Sequence, residues 1–266
     1  RPSGRQSATP LQTVVPFTGL SDPSAVAVDA AGNVYVADTG NNRVVKLAPE
    51  SGAQHIIGFT GLRGPFDVAV DSAGNIYVVD LNDRLVEWVA ARNSQRVIPF
   101  AHRESPVAVA VDSAGNVYLS EQLSTRVVKL AAGSDAQQVL GFTGLELPGA
   151  VAVDSAGNVY VSDTLRHQVV ELVAGSNTTR VVPFARDLSL RTDLGVPGAV
   201  AVDSAGNIYV TDFFFNRVVV LPAGAHVQHL VPLTGVKYPG LLAVDFAGNL
   251  YVTDGDNNRV VKLTRG

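Results

Sequence analysis

The 266-residue sequence predicts an all-β fold, a closed six-bladed β-propeller with four antiparallel strands per blade. Three observations carry that expectation. A unit of about 42 residues recurs six times. Each copy holds short runs rich in Val, Ile and Tyr, separated by Gly, Asn and Ser turns. The chain also begins on a strand that the last copy lacks.

The repeat is plain in the text. VAVDAAGNVYVADTGNNRVVKL occupies residues 26–47, and VAVDSAGNVYVSDTLRHQVVEL returns at 151–172. Asp29, Asp71, Asp112, Asp154, Asp203 and Asp245 mark the copies, at spacings of 42, 41, 42, 49 and 42 residues. In each copy, VAVD and NVYVAD flank a tight turn signal. RVVKL follows a polar loop, and a run such as QRVIPF (95–100) supplies the fourth strand. Four strands in this period is the size of a propeller blade. The near-continuous apolar runs fit strands covered on both faces. Ala27, Ala69, Ala110, Ala152, Ala201 and Ala243 stand midway along the first strand, where crowding at the axis favours a small side chain.

Closure is legible too. The sixth copy ends at Leu263 after three strands, and QTVVPF (12–17) is a fourth strand with no blade before it. The N-terminal strand is expected to complete the last blade and to leave the ring without an open edge strand. Residues 12–266 then form a single propeller domain. Residues 1–11, rich in Ser, Pro and Arg at their start, read as a linker remnant. With no methionine anywhere, the chain reads as part of a longer protein.

Composition narrows the function. The net charge of −4, from 20 Lys and Arg against 24 Asp and Glu, gives no general attraction for nucleic acid. No apolar run reaches the roughly 20 residues of a membrane helix. The lack of cysteine removes disulfides, thiol catalysis and thiolate metal sites.

The pattern PxxVAVDxxGNVYVxDxxNxRVVKL resembles the NHL repeat. The added VVPFTGL, IIGFTGL and VLGFTGL strands (14–20, 56–62, 139–145) make the chain resemble the extracellular sensor domains of mycobacterial receptor serine/threonine kinases. The resemblance implies a ligand-sensing or protein-interaction domain on the extracellular face of a bacterial membrane, or secreted. The kinase would lie outside this chain, and membrane contact would run only through a tether. The expected partner is an extracellular protein, peptide or small ligand. Copy two is one residue short, Glu121 replaces Asp in copy three and Gln168 replaces Arg in copy four.

An enzyme is the alternative. Amidating lyases with this repeat hold a metal with histidines around the axis, which implies a lyase or hydrolase using the central channel. The matching pairs here are Ser24-Ala25, Phe66-Asp67, Val107-Ala108, Gly149-Ala150, Gly198-Ala199 and Gly240-Leu241. Asp67 alone is ionisable, and a catalytic metal usually takes three protein ligands. No metal site, cofactor or catalytic residue is therefore expected. A purely structural scaffold is the third reading.

Residues that recur six times read as scaffold, so function is sought where copies differ. The first and third turns of each blade are short and alike. The second loops and the interblade loops share the opposite face and vary. Five interblade segments run seven residues from Phe or Leu to Pro, while Phe184 to Pro197 runs fourteen. That insertion contains Arg186, Leu188, Leu190 and Arg191. It leads into the blade whose loop carries Phe213, Phe214 and Phe215, beside Leu165, Arg166 and His167 of the blade before. One reading is an aromatic binding patch rimmed by charge. The other has the rings packed under the insertion. A second candidate is the channel mouth on that face, at Phe66, Asp67 and Val107.

Overall fold

The computed structural model describes residues 10–99, 105–184 and 194–265. They form six four-stranded antiparallel sheets. Blade one, from the axis outward, is Pro23–Val28, Val34–Asp38, Arg43–Leu47 and Gln54–Ile56. The innermost strands of blades two to six are Asp67–Val70, Pro106–Val111, Pro148–Val153, Pro197–Val202 and Pro239–Val244. Their opposed faces make the core. Ala25, Ala37 and Val44 of blade one pack with Val68, Ile76, Val78 and Val86 of blade two, and equivalent layers fill the other interfaces. No helix among the described residues is long and apolar enough to cross a membrane.

The recurring Asp-x-x-Gly-Asn-x-Tyr unit is one hydrogen-bonded device. Asp29 Oδ1 accepts from the backbone N–H groups of Ala31 and Asn33, at 3.0 and 2.9 Å. Its Oδ2 accepts from Asn33 Nδ2 and the Tyr35 hydroxyl, at 2.7 and 3.0 Å. Gly32, at φ +80°, holds the left-handed corner that a side chain would strain. Burial and the nearby Asp29 carboxylate push the Tyr35 phenol well above its ordinary range. The six tyrosines are thus polar anchors as well as packing residues.

The N-terminal strand closes the ring. Leu11–Val14 pairs antiparallel with Arg259–Thr264, from Leu11 opposite Thr264 to Val14 opposite Val261. Gln12 also clamps blade five: its amide donates to Thr234 O and its Oε1 accepts from Thr234 N, both at 2.8 Å. Gln54 and Gln95 repeat the clamp on Thr18 and Thr60. One expectation needs correction. Closure covers the edge of Arg259–Thr264, but the outer strand of every blade pairs on one side only. Six outer edges remain among the described residues, kept short at two to five residues each.

Around the axis, each blade is tied to the next by a polar bond. Ser120 Oγ donates to Gly149 O. Ser162, Thr211 and Thr253 donate to Gly198 O, Gly240 O and Ser24 O at 2.8, 3.0 and 3.1 Å. Blades one and two carry Ala37 and Val79 at this second-strand position and use other groups. Ser24 Oγ donates to Phe66 O at 3.0 Å. The Asp67 carboxylate takes Val68 N–H on one oxygen and Val109 N–H, from blade three, on the other, both at 2.8 Å. Burial outweighs these two bonds and raises Asp67 from 3.8 to about 7.

Two tests follow. Deleting residues 11–14 removes one strand of blade six and exposes the edge of Arg259–Thr264. The expected loss is about 3 kcal/mol by calorimetry, from roughly 1 kcal/mol per net hydrogen bond, with a dimer on size-exclusion chromatography. The second test is the pH dependence of stability. Between pH 4 and 7 the folded chain keeps the Asp67 proton that the unfolded chain releases, so stability falls as pH rises. The slope from one such group approaches about 1.4 kcal/mol per pH unit at most. Asp67→Ala, the residue found at this place in four other blades, should remove that component from urea titrations.

Candidate functional site

One face of the disc is built by the loops that join second to third strands together with the interblade loops. A fully buried acid stands between the two in each blade, and in five blades it ties them together. Asp38 accepts from Ser21 N–H of the interblade loop at 2.7 Å, and from Arg43 Nε at 2.6 Å. Asp80, Asp163, Asp212 and Asp254 bind the backbone of their own interblade loops in the same way. The acid and arginine expected to pair across this loop do so in five blades. In blade four, where Gln168 replaces arginine, Arg166 lies 3.9 Å from Asp163 and 2.7 Å from Glu146. In blade three Glu121 holds Arg126 Nε and Ser124 Oγ with one oxygen, and its buried Oε1 has no partner among the described residues.

The three adjacent phenylalanines divide their roles. Phe213 is half-buried against Gly198, whose lack of a side chain makes the room, and it stacks on Tyr238 at 6.1 Å and 12°. Phe215, also half-buried, meets Phe214 edge-on at 4.9 Å and carries the Arg217 guanidinium 4.6 Å above its ring. Gly195 leaves room for the Phe214 Cβ and the Phe215 ring against the backbone. Phe214 points to solvent, 70% exposed. Packing and presentation are thus combined in one loop. Leu194 is buried in the core beside Ala150 and Val200. Arg186, Leu188, Leu190 and Arg191 lie outside the described residues. His167 meets Gly195 O through Nδ1, which joins blade four to the segment before blade five.

The structure adds Leu81, Leu123 and Tyr238, which the sequence reading passed over, to the expected Leu165 and Phe214. Leu81, Leu123, Leu165, Phe214 and Tyr238 are all 60–74% exposed. The first four stand one or two places after the buried acid in blades two to five, and Tyr238 follows in the segment before blade six. Blades one and six fill the same loops with Thr39-Gly40-Asn41 and Gly255-Asp256-Asn257. Four consecutive blades therefore present an apolar arc, and the remaining two present a polar sector. The signal was available as a leucine or phenylalanine just after the acid, in loops where solvent favours polar residues.

The axial candidates are more structural. Phe66 is half-buried against the core between blades two and three. Asp67 lines a channel of about 200 Å³, but its two oxygens are engaged by backbone N–H groups. Inner-strand residues such as Val68, Ala69, Ala110, Ala152, Ala201 and Ala243 make up the rest of the wall, and among the described residues Asp67 is the one ionisable group in it. His55 and His229 lie in outer strands, far from the axis. Among the described residues, no three His, Asp or Glu side chains converge in a way that could hold a metal ion.

Comparison with known proteins places this architecture. A family model of the NHL repeat matches residues 20–47. Over 55 residues, 19% of this chain, the sequence is 54% identical to the serine/threonine-protein kinase PknD of Mycobacterium tuberculosis. That stretch spans only 8% of the kinase's length. A streptogramin B lyase superposes with a TM-score of 0.72 at 10% identity, covering 97% of this chain and 98% of the lyase. A gluconolactonase of Xanthomonas campestris gives 0.75 at 16% identity, with 97% and 91% covered. A chain of a nidogen/laminin complex gives 0.72 at 18%, with 83% and 84% covered. At such identities the likeness is one of fold. The matched segment is the unit that the chain repeats six times, so the chain carries an NHL repeat and is built as a six-bladed propeller upon it.

Proposed function

We propose that this chain is a non-catalytic, ligand-sensing propeller that binds a protein or peptide partner on its loop face. We further propose that it serves as the extracellular sensor of a membrane-anchored serine/threonine kinase, or acts as a secreted relative of one. The single observation that carries the binding reading is the apolar arc from Leu81 to Tyr238. Scattered apolar residues are normal on a surface. Five on one face, four of them at matching loop positions, over a scaffold that fills the same loops with polar residues in blades one and six, are not. Phe214 rests edge-on against Phe215, which is itself backed by the Arg217 guanidinium, so part of the side-chain freedom is already lost before a partner covers it. The kinase setting is supported by the 54% identical stretch shared with PknD.

The mechanism would be rigid. Buried acids hold the interblade loops on five of the six blades, so the face is formed before the partner arrives. The signal would then pass through clustering or through the geometry of a tether.

An enzyme acting at the central channel is the second reading, favoured by the fold likeness to the lyase and the gluconolactonase. It predicts a stoichiometric metal by elemental analysis and turnover lost in Asp67→Ala. The sensing reading predicts neither.

The loop face is tested by a photocrosslinking residue in place of Phe214, in the full-length protein in its native cell. A partner band is expected from position 214 and not from Ala205, on the opposite face. Equal bands from both positions would sink the proposal. Phe214→Ser and Leu165→Ser should each change stability by less than about 0.5 kcal/mol, as exposed sites do. Each should weaken capture of the crosslinked partner by about tenfold or more.

A further inference from the structure

The far end of the axial channel opens between the first turns of the six blades, on the face opposite the loops. There it meets a cavity of about 330 Å³, lined by the ends of the inner strands and the turn residues. That volume lies at the small end of the roughly 300–1,000 Å³ of small-molecule sites.

The residue after each turn aspartate stands around this mouth. In five blades it is small: Ala30, Ser72, Ser113, Ser155 and Ser204. In blade six it is Phe246, 79% exposed and the most exposed large apolar side chain among the described residues. It belongs to none of the core clusters and, among the described residues, stacks on no other ring. No packing role in the scaffold explains a phenylalanine here, and five blades fold the same turn without one.

The polar groups at the mouth fall into two sets. The aspartates are committed to the turns: Asp245, for example, takes the N–H groups of Ala247 and Asn249 on one oxygen and the Asn249 amide and Tyr251 hydroxyl on the other. The exposed hydroxyls of Ser72, Ser113, Ser155 and Ser204 carry no such commitment within the described residues. What the mouth presents to solvent is therefore one flat aromatic face and a ring of free hydroxyls.

The geometry points to a pyranose as the complement: we propose that this mouth binds one neutral pyranose unit. The apolar C–H face of the sugar would lie on the Phe246 ring, whose π-face carries partial negative charge. Its hydroxyls would exchange hydrogen bonds with the serines, each of which can donate and accept. A purely apolar ligand would leave those hydroxyls dry, and a phosphate or sulfate would face six carboxylates. This site is separate from the partner face proposed above, and either can fail without the other.

Saturation-transfer difference NMR on the intact chain tests it, with glucose, mannose and galactose and their methyl pyranosides as probes. Transfer to at least one sugar is expected. Methyl glycosides that bind as well as free sugars indicate a terminal residue of a glycan; binding of the free sugars alone indicates a soluble monosaccharide. Phe246→Ser installs the residue found in four other blades, so its melting temperature should match the parent. It should weaken binding by about tenfold or more, and Phe246→Trp should restore it. Ser113→Val, at a second point on the ring, should weaken binding as well. Phe214→Ser should leave it intact. Transfer from no sugar, unchanged transfer in both Phe246→Ser and Ser113→Val, or binding of tetramethylammonium alone would overturn the proposal.

Discussion

A four-stranded sheet has two bare faces, and in a ring each face is covered only by the neighbouring blade. This mutual covering is the constraint on which the molecule depends. No blade has a core of its own: Val36 and Leu47 of blade one are buried against Tyr251 and Val260 of blade six, just as Ala37 and Val44 are buried against blade two. Apolar contact alone leaves adjoining blades free to slide, since Val against Val has no direction. The hydroxyl and carboxylate bonds around the axis supply the direction, one at every interface. The outer glutamine clamps do the same at the circumference in several blades. Inner and outer fastenings together fix both the tilt and the height of each wedge.

The buried acids of the loop face solve a related problem. Loops carry backbone donors that must be met. A carboxylate beneath the loop meets them and is itself neutralised by arginine. Because each acid lies inside the blade, the loop above it can change its exposed residues freely. The same frame can therefore carry Thr-Gly-Asn in blade one and Phe-Phe-Phe in blade five. Diversity at the surface rests on monotony beneath it.

Much of the ring was legible in the sequence because its signals are repeated. Six aspartates at near-constant spacing fix blade number, and an orphan strand at the start with a missing fourth strand in the last copy fixes closure. The variable face was legible as well, since turn lengths there differ. The axial bonds were not. Ala37, Val79, Ser120, Ser162, Thr211 and Thr253 look like ordinary variation at a small-residue position, and only the contact with the next blade shows that four of them are fasteners. Asp67 stood out as a lone charge and suggested a ligand group, yet the structure gives it two backbone donors and a place among those fasteners. Leu81, Leu123 and Tyr238 are single letters in polar loops, and their alignment emerges only when the blades are set side by side. Phe246 was hidden for the opposite reason, in a turn so regular that it reads as uniform.

The pairing of Leu11 with Thr264 also bears on how such a domain travels between proteins. Entry and exit lie side by side in one sheet. A host chain that leaves for this ring and returns resumes within a strand spacing of where it departed, so the ring can be inserted into a surface loop without stretching the host. By the same geometry the ends can be joined by a short linker and the chain reopened at another interblade loop. The blade that is split between the two ends of the sequence is thus an accident of where the ring was cut, while the order of the blades around the axis is what the fold preserves.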